Sequence, residues 1–114
     1  VYRQRSVSDD RQRFVSLTFD FPAPERETAI LIGETGCSST CARQLVTLGA
    51  SLRALKDVDL EEVPSTRLLV YAALLIRDGL DPVAACRAAL VDTLTDDTEV
   101  AAALLEVVRA SFAT

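Results

Sequence analysis

Only one stretch of this sequence alternates with a period of two, and nothing else in the sequence offers it a partner. From Arg13 to Phe21, the residues Val15, Leu17, Phe19 and Phe21 interleave with Phe14, Ser16, Thr18 and Asp20, which is the pattern of a half-buried strand. Pro22 and Pro24 stop it. A single strand leaves a row of backbone donors and acceptors unpaired, and a sheet needs about three strands or a covering layer to stand alone. The rest of the sheet is therefore expected in residues beyond these 114, or in another subunit. The residues before the strand, Val1 to Asp10, are polar, charged and aperiodic and read as irregular.

Every apolar pattern after Pro24 has helical spacing. Pro24 to Glu34 opens on a proline suited to a first helical position and closes near Gly36, a left-handed cap. Ser38 or Ser39 caps a second helix to about Lys56, with Ala42, Leu45, Val46, Leu48, Leu52 and Leu55 on one stripe. Gly49 inside it costs about 1 kcal/mol relative to alanine, so it points to a close helix contact. Beyond the acidic link Asp57 to Pro64, Ser65 caps a third helix, Thr66 to Asp78, which is apolar on nearly every side. Such a helix is expected at the centre, with Tyr71 as a packing residue. Gly79 ends it, Asp81 caps and Pro82 opens a fourth helix to about Val91, and Thr95-Asp96-Asp97 begins a fifth. In that last helix Val100, Ala103, Leu104, Val107, Val108 and Phe112 recur at helical spacing. The expected fold is mainly α: a compact helical bundle over residues 23–114, preceded in residues 1–22 by one edge β-strand whose sheet is missing.

Composition excludes several classes of function. Twelve basic residues against 17 acidic ones, a net charge of −5, argue against broad attraction to nucleic acid or to an anionic membrane. No apolar run approaches the roughly 18–20 residues that span a bilayer, and VYRQRSVSDD has no signal-peptide core, so a cytoplasmic location is expected. Cys37, Cys41 and Cys86 make an odd count in helical surroundings and read as buried small hydrophobes. A metal site built on them would need further ligands, and the chain has no histidine, so none is expected. A Gly-rich phosphate loop ending in Lys-Ser or Lys-Thr is also missing, as is a strand ending in paired acids. By itself the chain is not expected to hydrolyse anything. It begins with Val1 and contains no methionine, which suits a piece of a longer protein.

One cation stands out. Arg67 lies in the first turn of the most apolar helix, PSTRLLVYAALLIRDG, where backbone N–H groups already carry partial positive charge. A negative group is expected beside it. Asp57, Asp59, Glu61 or Glu62 could supply a carboxylate, and a phosphate would suit both the helix start and the guanidinium fork. Arg87, mid-helix, reads as solvated or ion-paired.

The run RQRFVSLTFDFPAPERE, followed by PSTRLLVYAALLIRDGLDPVAACRAALVDTLTDD, resembles the end of the ATPase core and the helical lid of AAA+ proteins of the MoxR class. Within that class it is most similar to the CbbQ/NorQ branch, through Ser-Thr-Arg, Ala-Cys-Arg-Ala-Ala and Leu-Thr-Asp-Asp, and the likeness covers nearly all of Asp10 to Phe112. The resemblance implies a lid-type bundle whose strand belongs to a missing α/β ATPase core. It implies that Arg67, with Ser65 nearby, meets the phosphates of nucleotide held by the same subunit, and that Arg13 is an arginine finger reaching a neighbouring subunit's site. It further implies ATP and Mg²⁺ in the intact protein but none on this chain alone, and a ring, commonly a hexamer. The activity implied is that of a chaperone or activase, with a von Willebrand A domain partner and a client metabolic enzyme such as rubisco or nitric oxide reductase. A guanidinium suits both roles, because it can satisfy several phosphate oxygens and stabilise charge as a phosphoryl group transfers. The rival reading is a small non-enzymatic interaction module that docks its edge strand on a partner's sheet.

Overall fold

The computed structural model describes residues 21–56 and 58–113, which form α1 (Pro24–Thr35), α2 (Ser39–Arg53), α3 (Thr66–Arg77), α4 (Pro82–Cys86), α5 (Asp92–Leu94) and α6 (Thr98–Phe112). A π-helical turn, Arg87–Val91, joins α4 to α5. The expected strand lies outside the described residues except for Phe21, and Arg13 lies outside them too.

Local chemistry sets the helix starts. Ser38 accepts from the amide of Cys41 and Ser65 from that of Leu68. Asp81 accepts from Val83 and Ala84, and Asp97 from Glu99 and Val100. Each satisfies first-turn donors that would otherwise have no partner. At the other end of α1, Gly36 takes φ 74° and donates to the carbonyl of Ile32 at 2.8 Å, a left-handed cap as its position in the sequence predicts.

α2 lies against α1, α3 and α6, and α3 lies against α1, α2, α4 and the π turn. Their shared core holds Leu31, Leu45, Leu48, Leu52, Leu69, Leu90, Leu94, Leu104 and Val108, all essentially inaccessible to solvent. α3 is less enclosed than its composition predicts. Its buried residues are Leu68, Leu69, Ala72 and Ala73, while Tyr71, expected as a packing residue, is 48% exposed. Apolar composition says that a helix can be enclosed; which faces find neighbours depends on where the other helices land. α2 buries more, with Ala42, Leu45, Val46, Leu48, Gly49 and Leu52 turned inward.

Two boundaries differ from expectation. The second helix stops at Arg53 and not near Lys56, and half-buried Leu55 folds back against the core. The fourth is not one α-helix to Val91. The wider π turn lets three consecutive residues, Ala89, Leu90 and Val91, be buried together with Cys86 and Leu94, which a regular helix would spread around its circumference.

Gly49 marks the close approach that its cost implied. A Cβ there would sit 2.9 Å from Cδ1 of Leu69, so α2 and α3 meet where one of them has no side chain. Cys37 and Cys86 are buried, Cys41 is half-buried, and all three are free thiols. Burial pushes the Cys41 thiol up to about 11 and the Cys86 thiol up to about 12, with the neighbouring cysteines adding to it, so neither is a thiolate at neutral pH. Among the described residues no group of His, Cys, Asp and Glu could hold a metal ion, and no helix is long and apolar enough to cross a membrane.

Candidate functional site

The buried stripe of α1 is Glu27, Leu31 and Thr35, one residue every four, and a carboxylate heads it. Glu27 is 1% exposed. Its partner is Arg53, the last residue of α2 and 12% exposed, whose Nη1 donates to Oε1 at 3.0 Å and whose Nη2 donates to Oε2 at 2.7 Å. The third nitrogen of that guanidinium, Nε, donates to the carbonyl of Pro64 at 2.7 Å. Phe21 lies under the guanidinium, with the ring centroid 3.9 Å from Cζ. Thr66 completes the cluster, its hydroxyl donating to Oε2 of Glu27 at 2.6 Å. Four separate pieces of chain therefore converge on one ion pair: the segment leading into α1, α1 itself, the end of α2 and the start of α3.

Burial alone would raise the carboxyl of Glu27, but the hydrogen bonds from Arg53 and Thr66 and the charge of Arg53 outweigh it and hold the group below its ordinary value of 4.5. An acid with a lowered folded pKa contributes stability that is fully present above its unfolded pKa and is lost as the pH falls through the folded one. Urea unfolding measured between about pH 6 and 3 should therefore show stability declining with acid, and the decline should be shallower in Glu27→Gln, which has no proton to take up there. Equal slopes in the two proteins would contradict this assignment.

The clamp places the residues that follow it. Thr66 turns inward to Glu27, and its successor, rotated by about 100° around the helix, turns outward. That successor is Arg67. It is exposed and makes no hydrogen bond or ion pair with any described residue, so none of Asp59, Glu61 and Glu62 holds it, and Asp57 lies outside the described residues. Arg67 borders an open groove of about 500 Å³ with Tyr71, Leu74 and Leu75 on its own helix, Ala88, Ala89 and Thr93 across from them, and Glu62 at the rim. Ser65, immediately before Thr66, spends its hydroxyl on capping the helix. The structure thus brings Ser65 and Arg67 to one helix start, and Arg13 lies outside the described residues. Arg87 is exposed, in keeping with a solvated side chain.

Such a site can hold an anion beside Arg67, with the Glu62 carboxylate also lining the groove. Arg77 shows what an arginine at the far end of α3 does instead, pairing with Asp78 and donating to the carbonyl of Thr35. Sequence reasoning missed Glu27, Arg53 and Thr66. The signal was present: Glu27 lies four residues before Leu31, and Arg53 four after Gly49, so each charge falls on an inward stripe. A charge on such a stripe calls for a buried counter-charge.

The family described as CbbQ/NirQ/NorQ C-terminal matches residues 27–111. The denitrification regulatory protein NirQ of Pseudomonas aeruginosa is 57% identical over 98 residues, which is 86% of this chain and 38% of that protein. Protein NorQ of Paracoccus denitrificans is 47% identical over 102 residues, covering 90% of this chain and 38% of its own length. Protein CbbQ of Hydrogenophilus thermoluteolus is 43% identical over 103 residues, covering 90% and 39%. The chain spans less than two fifths of the length of the curated relatives it matches.

Proposed function

Since the chain belongs to the CbbQ/NirQ/NorQ C-terminal family, we propose that it is the helical lid of a MoxR-class AAA+ ATPase and that Arg67 meets the phosphates of bound nucleotide. The observation that carries this reading is the state of Arg67: a cation at the start of α3, exposed beside a groove, with no acid among the described residues paired to it. Nucleotide phosphate supplies the missing negative charge, and both the guanidinium fork and the helix N-terminus favour it. In this reading residues 1–22 end the ATPase core and residues 23–114 form the lid. ATP and Mg²⁺ bind to the intact protein at a phosphate loop upstream, and Arg13 reaches the site of a neighbouring subunit in a ring.

The lid would move as a rigid body on the nucleotide, since its helices share one core and the clamp ties the segment leading into α1 to α3. The relatives' names suggest the service such motion performs. One is called a denitrification regulatory protein, and a chaperone-like activase of a metabolic enzyme, aided by a von Willebrand A domain partner, fits that description. In the full-length protein, Arg67→Ala should reduce kcat/KM for ATP by about 10- to 100-fold, the range for removing one charge-assisted contact to phosphate. Unchanged nucleotide affinity together with unchanged hydrolysis would remove the proposal.

A further inference from the structure

We infer that the Glu27–Arg53 ion pair is a positioning device for Arg67, acting through the two residues on which it closes, Pro64 and Thr66. The inference rests on the nucleotide reading of Arg67 and adds to it a cause for where that side chain stands. Pro64 and Thr66 flank the N-cap Ser65, and both are tied to the same pair: Pro64 through its carbonyl to Arg53 Nε at 2.7 Å, Thr66 through its hydroxyl to Glu27 Oε2 at 2.6 Å. The first turn of a helix is its least constrained part, because its amides have no intrahelical partners. Here that turn is held from both flanks by a carboxylate and a guanidinium which are themselves fixed to each other by two hydrogen bonds.

The geometry separates holding from sensing. Glu27 is buried and Arg53 nearly so, and neither lines the groove that Arg67 borders. Glu27 touches α3 on its inner side and Arg53 the residue before its N-cap, while Arg67 leaves from the outer side. With Thr66 fixed inward, the helical rotation to the next residue sets the direction in which Arg67 departs, and an arginine aimed in advance loses less side-chain freedom when it meets an anion. Arg53 also rests on Phe21, the last residue before the Pro-Ala-Pro segment that leads into α1, so the same guanidinium touches both the residue before the N-cap of α3 and the chain that leads into α1. Thr66 and Arg53 are thus positioning residues, and neither needs to touch the nucleotide.

The test is a double-mutant cycle in the full-length protein. Thr66→Val removes the hydroxyl at nearly constant volume, and Thr66→Ser keeps it. Thr66→Val should lower kcat/KM for ATP by about fivefold, the effect of one hydrogen bond to a charged group acting indirectly, and Thr66→Ser should restore it. In an Arg67→Ala background the same Thr66→Val change should have no effect, because the group that it positions is gone. A Thr66→Val loss of equal size in both backgrounds would overturn the positioning role, as it would then reflect general destabilisation. A silent Thr66→Val beside an impaired Arg67→Ala would overturn it as well while leaving the nucleotide reading in place, whereas a silent Arg67→Ala would remove the nucleotide reading itself. The chain alone supplies a readout independent of turnover. The amide order parameter of Arg67 should fall in Thr66→Val from the rigid value of about 0.85 towards about 0.6, with α6 unchanged. An unaltered value at Arg67 would contradict the inference.

Discussion

Replacing Arg53 with methionine should lower the free energy of unfolding of the chain by about 3–5 kcal/mol, a large part of the roughly 5–15 kcal/mol that a domain possesses. The stem of the side chain is kept, so the loss is not mainly one of packing volume. What disappears is the only cation among the described residues bonded to Glu27, whose side chain is 1% exposed and would retain the Thr66 hydroxyl as a donor. An uncompensated buried carboxylate escapes part of the cost by taking up a proton, so its folded pKa would rise above the ordinary value. The sign of the linkage then reverses: relative to the parent, the variant should recover stability as the pH falls, because its folded state now binds the proton more tightly than its unfolded state. Urea unfolding at neutral and mildly acid pH checks both statements. Glu27→Met combined with Arg53→Met should regain a large part of the loss, since no buried charge is left unpaired, although the Pro64 carbonyl and the Thr66 hydroxyl lose their partners. A double variant as unstable as Arg53→Met would show instead that the bundle needs the bonds themselves.

The sequence carried the helices well because their ends are decided locally. A serine or aspartate before an apolar run, a proline at the first position and a glycine after the last turn act within a few residues: Ser65, Asp81 and Gly36 perform the roles their positions predict, Ser38 is the cap of the pair Ser38 and Ser39, and Asp97 is the cap within Thr95-Asp96-Asp97. The π turn was not legible, since Ala-Cys-Arg-Ala-Ala-Leu-Val is compatible with an ordinary helix and the extra residue per turn is imposed by what the neighbouring helices leave to be filled. The exposure of Tyr71 was hidden for the same reason. For the site, Arg67 could be singled out because a cation at a helix start conflicts with the helix dipole whatever the fold. Its support could not. Glu27 and Thr66 are 39 residues apart and Glu27 and Arg53 26 apart, and only the packing of α1 on α2 and α3 brings them together. Local rules see a helix cap; they do not see a clamp closed across three helices.

The contact between Gly49 and Leu69 should show the opposite of additivity. Leu69 is fully buried, and shortening it to alanine should cost about 2–5 kcal/mol, through lost transfer energy and the cavity left behind. Gly49→Ala alone gains about 1 kcal/mol of helix propensity but sets a methyl 2.9 Å from Cδ1 of Leu69, and overpacking costs about 1–3 kcal/mol, so a net loss of about 1 kcal/mol is expected. Together the two changes relieve one another. The methyl at position 49 enters space that Leu69 has vacated, and the propensity gain is realised without the clash. The double variant should therefore be more stable than Leu69→Ala, with a coupling energy of about 1 kcal/mol or more relative to the sum of the singles. Four urea unfolding curves measure it, and additivity within about 0.5 kcal/mol would mean that α2 and α3 are not in close contact at this point. The same spot lies beside the clamp, as a Cβ at position 49 would also meet Cζ of Arg53 at 3.6 Å. The absence of a side chain at Gly49 thus seats Leu69 of α3, while the guanidinium that reaches over to Glu27 would meet such a Cβ only at ordinary van der Waals distance. Gly49→Ala should consequently shift the start of α3 before it affects the far end, and a change in amide chemical shifts strongest at Thr66 and Arg67, fading towards Arg77, is the pattern expected from seating α3 at its first two turns.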